Sequence, residues 1–214
     1  MEPWPTSSSL PERRHLLSQA EAVLAAVRAR PTAYLVGIAG IPGSGKSTLC
    51  QTLCMLRPDI VVVPMDGYHL PRSRLDAEGL RRRGAPQTFA QAAFRADIRS
   101  LRRTRAGLFP QFDHAEQDPR PDAIRVTPAV PLVVIEGLYV LLREWRLEPL
   151  LDLRVFLDCD SDLATNRVAA RHLVAGISAT PEAARARALD NDRTNALAIL
   201  ADGCRERADI VLRG

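Results

Sequence analysis

Gly40-Ile41-Pro42-Gly43-Ser44-Gly45-Lys46-Ser47 follows the spacing G-x-x-x-x-G-K-[ST], that of a phosphate-binding loop. An apolar run, Tyr34-Leu35-Val36-Gly37-Ile38-Ala39, precedes it and reads as a buried strand. Thr48-Leu49-Cys50-Gln51-Thr52-Leu53-Cys54 follows and reads as a helix. Strand, loop and helix in that order are the setting the spacing requires. Glycines let the backbone curl so that successive N–H groups point inward, where side chains would block phosphate. The helix adds its positive end beneath the same phosphates. Gly40, Gly43, Ser44, Gly45, Lys46, Ser47 and Thr48 are the candidate nucleotide-binding residues. Lys46 is expected to reach the β- and γ-phosphates, and the Ser47 hydroxyl to ligate Mg²⁺.

Composition supports that reading against a chance glycine turn. Lys46 is the only lysine; every other member of the 29 Lys+Arg is arginine. A chain so biased keeps lysine where a compact ammonium must sit among phosphate oxygens. At 214 residues the chain suits one α/β domain. A net charge of +4 suits polyanionic ligands, while 5% aromatic residues argue against a stacking platform for bases. The four cysteines, Cys50, Cys54, Cys159 and Cys204, read as reduced thiols, not as a disulfide framework or a zinc site. The first residues show no signal pattern and no run approaches a membrane span, so a cytoplasmic location is the expectation.

Residues 1–10 are Pro- and Ser-rich and expected to fray. Apolar positions from Pro11 to about Arg30 recur at helical spacing, with Ser9 as a cap and Pro31 as a stop. A second strand over 60–65 leads into Asp66-Gly67-Tyr68-His69. A third, over 132–135, leads into Glu136-Gly137-Leu138-Tyr139. In open α/β sheets the ligand sits beyond the carboxyl ends of the strands, so acids there are candidates for chemistry. Beside a phosphate loop, one such acid suits Mg²⁺ and the other a proton. A strongly arginine-rich stretch, 70–108, contains a helix over 89–101; a loop or hairpin carrying Phe112 and His114 follows. A fourth strand covers 153–157, and the helix from Asp162 places Arg167 and Arg171 on one face. Over a nucleotide such a pair would neutralise charge on a transferred phosphoryl group. A helix from Pro181 through Leu189 is expected to be interrupted or capped by Asp190 to Asn195, before a helical turn over 196–201 and a last strand over 208–212. Five apolar strands alternating with helices argue a parallel sheet covered on both faces.

With these residues in place, the chain resembles the small-molecule kinases of the pantothenate kinase, uridine kinase and phosphoribulokinase group. It looks especially like the bacterial pantothenate-kinase-like branch labelled fructose transport system kinase. The ordered set that carries the resemblance is the phosphate loop, Asp66-Gly67-Tyr68, Arg82-Arg83-Gly84-Ala85-Pro86 before Phe89, Ile135-Glu136-Gly137, then Arg167 and Arg171. Arg171-His172-Leu173 and the Asp192…Asn195 pair add to it. The resemblance implies an α/β fold, a P-loop NTPase three-layer sandwich with a five-stranded, mostly parallel sheet. It implies Asp66 as general base, Glu136 with Ser47 at Mg²⁺, and Lys46, Arg167 and Arg171 on the phosphates. Acceptor contacts are expected from Asp66, Tyr68, His69, Arg83, Phe112, His114, Tyr139 and Asn195. Uridine kinases carry an acid near Gly84 and the group an aspartate after the aromatic; here these positions are Gly84 and Ala90.

The expected organisation is one domain over 1–214, with an acceptor-binding insertion at 69–128 and a lid at 167–180. The expected activity is transfer of the ATP γ-phosphoryl group to a hydroxyl of a small metabolite (pantothenate-like, sugar or nucleoside). ATP and Mg²⁺ are the implied cofactors. No nucleic acid and no membrane insertion are expected, and a homodimer is left open. The rival is a non-catalytic ATP-binding regulator, for example of a sugar transport system. A GTPase switch is disfavoured, because its guanine reader needs a second lysine.

Overall fold

The computed structural model describes residues 10–214. The expected cap at Ser9 and the frayed segment up to residue 9 lie outside them, and Leu10 already begins helix α1 (Leu10–Arg28). The remaining elements are β1 (Leu35–Gly40), α2 (Lys46–Leu56), β2 (Ile60–Pro64), α3 (Ala77–Arg81), α4 (Gln91–Thr104), β3 (Gly107–Asp113) and β4 (Asp118–Val126). They are followed by β5 (Leu132–Glu136), β6 (Leu153–Asp158), α5 (Ser161–Val174), α6 (Pro181–Arg187), α7 (Arg193–Ala201) and β7 (Ile210–Arg213).

Five strands form one sheet in the order β2-β5-β1-β6-β7, and every pairing in it is parallel. The expected "mostly parallel" sheet is therefore wholly parallel. Strands β1 and β5 are buried along their whole length, as continuous apolar runs covered on both faces should be. Alternate residues feed two cores. Val36, Ile38, Leu132 and Val134 join Ala20, Val23, Leu24, Leu49 and Leu53 of α1 and α2. Leu35, Ala39, Val133 and Ile135 point to the other face, against Phe94, Ile98, Tyr139, Trp145 and Ile199. Two helical layers thus enclose the sheet. The four cysteines are free, and among the described residues no helix is long and apolar enough to cross a membrane.

One segment differs from the sequence reading, and one reading left open is resolved. The stretch Asp190 to Asn195 does not break the helix. Ala188–Asp192 forms a π-helical turn that runs on into α7. Arg82 Nη1, from outside the helix, and Thr194 Oγ1, one turn further along it, donate to the Asp190 carbonyl at 3.1 and 2.7 Å. The proline-rich stretch is a true hairpin, β3 against β4, with a register shift between Phe109 and Gln111. Asp113 accepts from the N–H groups of Ala115 and Glu116 and so closes its turn.

The hairpin lies on the 3₁₀ turn Met65–Tyr68 that follows β2, and Gly67 is the contact. A Cβ at Gly67 would stand 2.2 Å from the Pro110 carbonyl oxygen. Gly67→Ala is expected to push the hairpin off this turn and to lower stability by about 1–3 kcal/mol in urea unfolding. An unchanged midpoint would mean that the two segments are not in register as described.

Candidate active site

The sheet order brings the carboxyl ends of β1, β5 and β2 side by side. Ile38 of β1 pairs with Glu136 of β5, which pairs in turn with Pro64 of β2. The phosphate loop leaves β1, so Glu136 stands beside it and Asp66 one strand further on. Gly43 and Gly45 have positive φ of 79° and 98°, which only glycine adopts without strain. Gly40 is pressed by the Leu157 carbonyl and the Ser44 hydroxyl, so no Cβ fits there. Ser44 is buried and Thr48 half-buried, in the first turn of α2.

Lys46 is buried, and its ammonium donates to the Ile41 carbonyl at 3.0 Å. Burial lowers its pKa, and the charges of Glu136 and Asp66 pull the other way. Burial pushes the Glu136 carboxyl up to about 7 against the pull of Lys46. The Ser47 hydroxyl donates to Glu136 Oε1 at 3.3 Å. Hydroxyl and carboxylate oxygens brought together are the hard donors that suit Mg²⁺, which takes one or two protein ligands and completes its shell with phosphate and water. Among the described residues no group of three or more His, Cys, Asp and Glu forms an all-protein cage. Ser47 and Glu136 therefore fit an ion shared with a nucleotide.

Asp66 is half-buried on the turn after β2. Its charge acts on Lys46, Glu136, His69 and Tyr139, so it belongs to the same cluster. His69 Nδ1 lies 2.8 Å from the Asp66 carbonyl, and the ring packs between Phe89 and Phe112 at 4.0 and 4.9 Å. Burial lowers the His69 pKa, so the ring is a neutral wall of the cleft.

Other expected acceptor residues are engaged within the protein. The Tyr68 hydroxyl donates to Asp97 Oδ2 at 2.7 Å. Arg83 is held by Asp118 at 2.6 Å, by the Leu70 carbonyl at 3.0 Å and by the Gln117 carbonyl, and it lies over the Phe112 ring. Tyr139 and Asn195 both donate to the Gly84 carbonyl, at 2.7 and 3.2 Å. They fix the Gly84 turn, whose φ of +104° explains why glycine stands there. His114 is exposed in the hairpin turn, with its ring 5.3 Å from that of Phe112. On α5, Arg167 approaches the Gly43 carbonyl at 3.5 Å and Arg171 is exposed. Asn191, whose amide donates to the Arg83 carbonyl at 2.9 Å, escaped the sequence reading because a π turn leaves no signature in spacing.

His172, buried on α5, faces the half-buried Asp192 of the π turn. Burial, with Arg187 and Arg171 adding to it, lowers the His172 pKa to about 4. Burial raises the Asp192 carboxyl to about 6, against the pull of Arg171 and Arg187. Their effects on stability have opposite signs. Unfolded His172 (6.5) takes up a proton before the folded residue does, so its contribution falls with acid between about pH 6.5 and 4. Folded Asp192 takes up a proton before the unfolded residue (3.8), so its contribution rises with acid between about pH 6 and 3.8. Relative to the unmodified chain, Asp192→Asn is expected to lose stability as pH drops through this window, and His172→Gln to gain it. Denaturant midpoints across pH 4–7 check both signs.

Comparisons with known proteins bear on the family and the fold. The family model described as Phosphoribulokinase / Uridine kinase family matches residues 35–175. A protein of Schizosaccharomyces pombe named "putative uridine kinase" is 38% identical over 179 residues, which cover 75% of this chain and 75% of that protein. The "ATP-dependent kinase YFH7" of Lachancea thermotolerans is 34% identical over 227 residues, with 83% of this chain and 64% of that protein covered. A crystal structure described as a "putative fructose transport system kinase" from Silicibacter sp. TM1040 is 34% identical, with a TM-score of 0.77 over 92% of this chain and 98% of that one.

Proposed function

The chain belongs to the phosphoribulokinase / uridine kinase family, and from that premise we propose that it is an ATP-dependent kinase that phosphorylates a hydroxyl of a small metabolite. The observation that carries the reading is the meeting of Lys46, Ser47, Glu136 and Asp66 at three adjacent strand ends. A phosphate cradle alone would serve any nucleotide-binding protein. Two carboxylates beside it, one on Ser47 and one free of it, provide for a metal and for a proton separately.

In this reading the loop N–H groups and Lys46 hold the β- and γ-phosphates. Mg²⁺ bound through Ser47 and Glu136 would supply charge neutralisation between those phosphates. Asp66 orients the acceptor hydroxyl and takes its proton as the oxygen forms a bond to the γ-phosphorus and the β–γ bridging oxygen leaves with ADP. Arg167 and Arg171 stabilise the charge spread over the transferred group. The transition state is loose, so alignment contributes more than basicity. Phe89, Phe112 and the neutral His69 ring give the acceptor an apolar wall. The acceptor class is pantothenate-like, sugar or nucleoside, each with a primary hydroxyl.

ADP release from MgATP across pantothenate, nucleosides, sugars and glycerate tests the reading. One acceptor is expected to stimulate release, and Asp66→Asn to lower that turnover by about 10²–10⁴-fold while MgATP affinity is kept. Normal turnover in this variant would remove Asp66 from the base role. ATP binding without stimulation by any acceptor favours the regulator instead. Lys46→Ala is expected to fail earlier, at MgATP binding itself; an unchanged affinity would refute its place on the phosphates.

A further inference from the structure

His69 follows the turn that carries Asp66, and its ring is held on three sides. Ala90 N donates to the Tyr68 carbonyl and Leu70 N to the Thr88 carbonyl, both at 2.8 Å, so His69 and Phe89 form an antiparallel bridge. Hydrogen bonds that flank a bridged pair, with none inside it, mark the pairing in which side chains stand closest. The ring centroids of His69 and Phe89 are accordingly 4.0 Å apart. Phe112, from the hairpin, adds a second aromatic contact at 4.9 Å. At the ring's edge, Nδ1 lies 2.8 Å from the Asp66 carbonyl.

A carbonyl oxygen only accepts, so Nδ1 carries the ring proton. Burial, with Arg83 adding to it, disfavours a second proton against the pull of Asp66 and Asp118. Nε2 is therefore a bare lone pair. Among the described residues it has no hydrogen-bond partner, and it is not sealed from solvent. Such a nitrogen accepts from a hydroxyl or an N–H and repels an oxygen without hydrogen, as in a carboxylate or phosphate. The nearby cation does not reverse this. Arg83 is neutralised by Asp118 at 2.6 Å and donates to the Leu70 and Gln117 carbonyls. His69 N also donates to the Asp66 carbonyl, at 3.1 Å, so ring and backbone are both fastened to the residue that bears the carboxylate.

We propose that His69 Nε2 accepts a hydrogen bond from a second hydroxyl of the acceptor and so selects polyhydroxylated acceptors over their deoxy analogues. The first hydroxyl goes to Asp66, and this part rests on the kinase reading. The tautomer and the open edge of the ring do not.

Nitrogen NMR of the histidine rings in the full chain tests the geometry, with His69→Phe identifying the His69 signals. Nδ1 is expected to be protonated and Nε2 bare; the reverse tautomer overturns the proposal whether or not the chain is a kinase. Uridine, fructose and glycerate are then added separately with MgADP, which permits no transfer, each beside a deoxy analogue (3′-deoxyuridine for uridine). At least one is expected to move the Nε2 signal more than its analogue does, and a signal that none moves overturns the proposal. With the acceptor that stimulates ADP release, the hydroxylated form is expected to exceed the deoxy form roughly 10–100-fold in kcat/KM. His69→Phe keeps an aromatic ring without the lone pair and is expected to abolish that preference. His69→Gln, whose amide oxygen replaces Nε2 as acceptor, is expected to restore part of it. Equal rates on both forms in the unmodified chain, or a preference that survives His69→Phe, overturn the proposal and leave the kinase reading standing. A moved Nε2 signal in a chain that transfers no phosphoryl group supports the recognition and counts against the kinase reading instead.

Discussion

Insertion of β5 between β1 and β2 is the constraint on which the site depends. In a parallel sheet all carboxyl ends lie along one edge, so strand order alone decides which residues become neighbours there. Glu136 ends β5 in register with Ile38 and Pro64, which puts its carboxylate beside Ser47 and one strand from Asp66. With β1 and β2 adjacent instead, the two acids would lie on opposite sides of the loop. The order is enforced by burial: β1 and β5 have no exposed residue, and the two cores take alternate side chains from each.

The same burial sets the electrostatics of the cluster. Lys46 and Glu136 are both taken from water, which disfavours the charge of each, and each offsets part of the other's cost. Neither is satisfied as it would be in a closed ion pair. The ammonium turns to the Ile41 carbonyl, while the carboxylate takes the Ser47 hydroxyl. Groups held this way remain able to exchange their protein partners for phosphate and a metal ion.

Around this cluster the chain spends its arginines on fastening. Arg83 ties the segment after α3 to the start of β4, and Arg81 and Arg82 tie it to the π turn. Tyr139 and Asn195 hold the Gly84 carbonyl between them. The acceptor side is thus a set of short segments joined by side chains to backbone carbonyls, with His69, Phe89 and Phe112 stacked inside it. The arginine-rich composition of 70–108 has a structural use at Arg81, Arg82 and Arg83.

The phosphate loop, the strands and the two strand-end acids were legible in the chain itself, because each is local: a spacing of glycines, an apolar run, an acid that follows it. Lys46 stood out by composition alone. The roles of Tyr139, Arg83 and Asn195 were not legible, since a hydroxyl, a guanidinium or an amide looks the same whether it faces a ligand or a carbonyl more than thirty residues away. The π turn was hidden for a related reason: its extra residue is held by contacts from Arg82 and Asn191 to distant segments, and sequence periodicity registers only neighbours on the same helix. Local order was written in the sequence; which polar groups remain free for chemistry was decided by long-range packing.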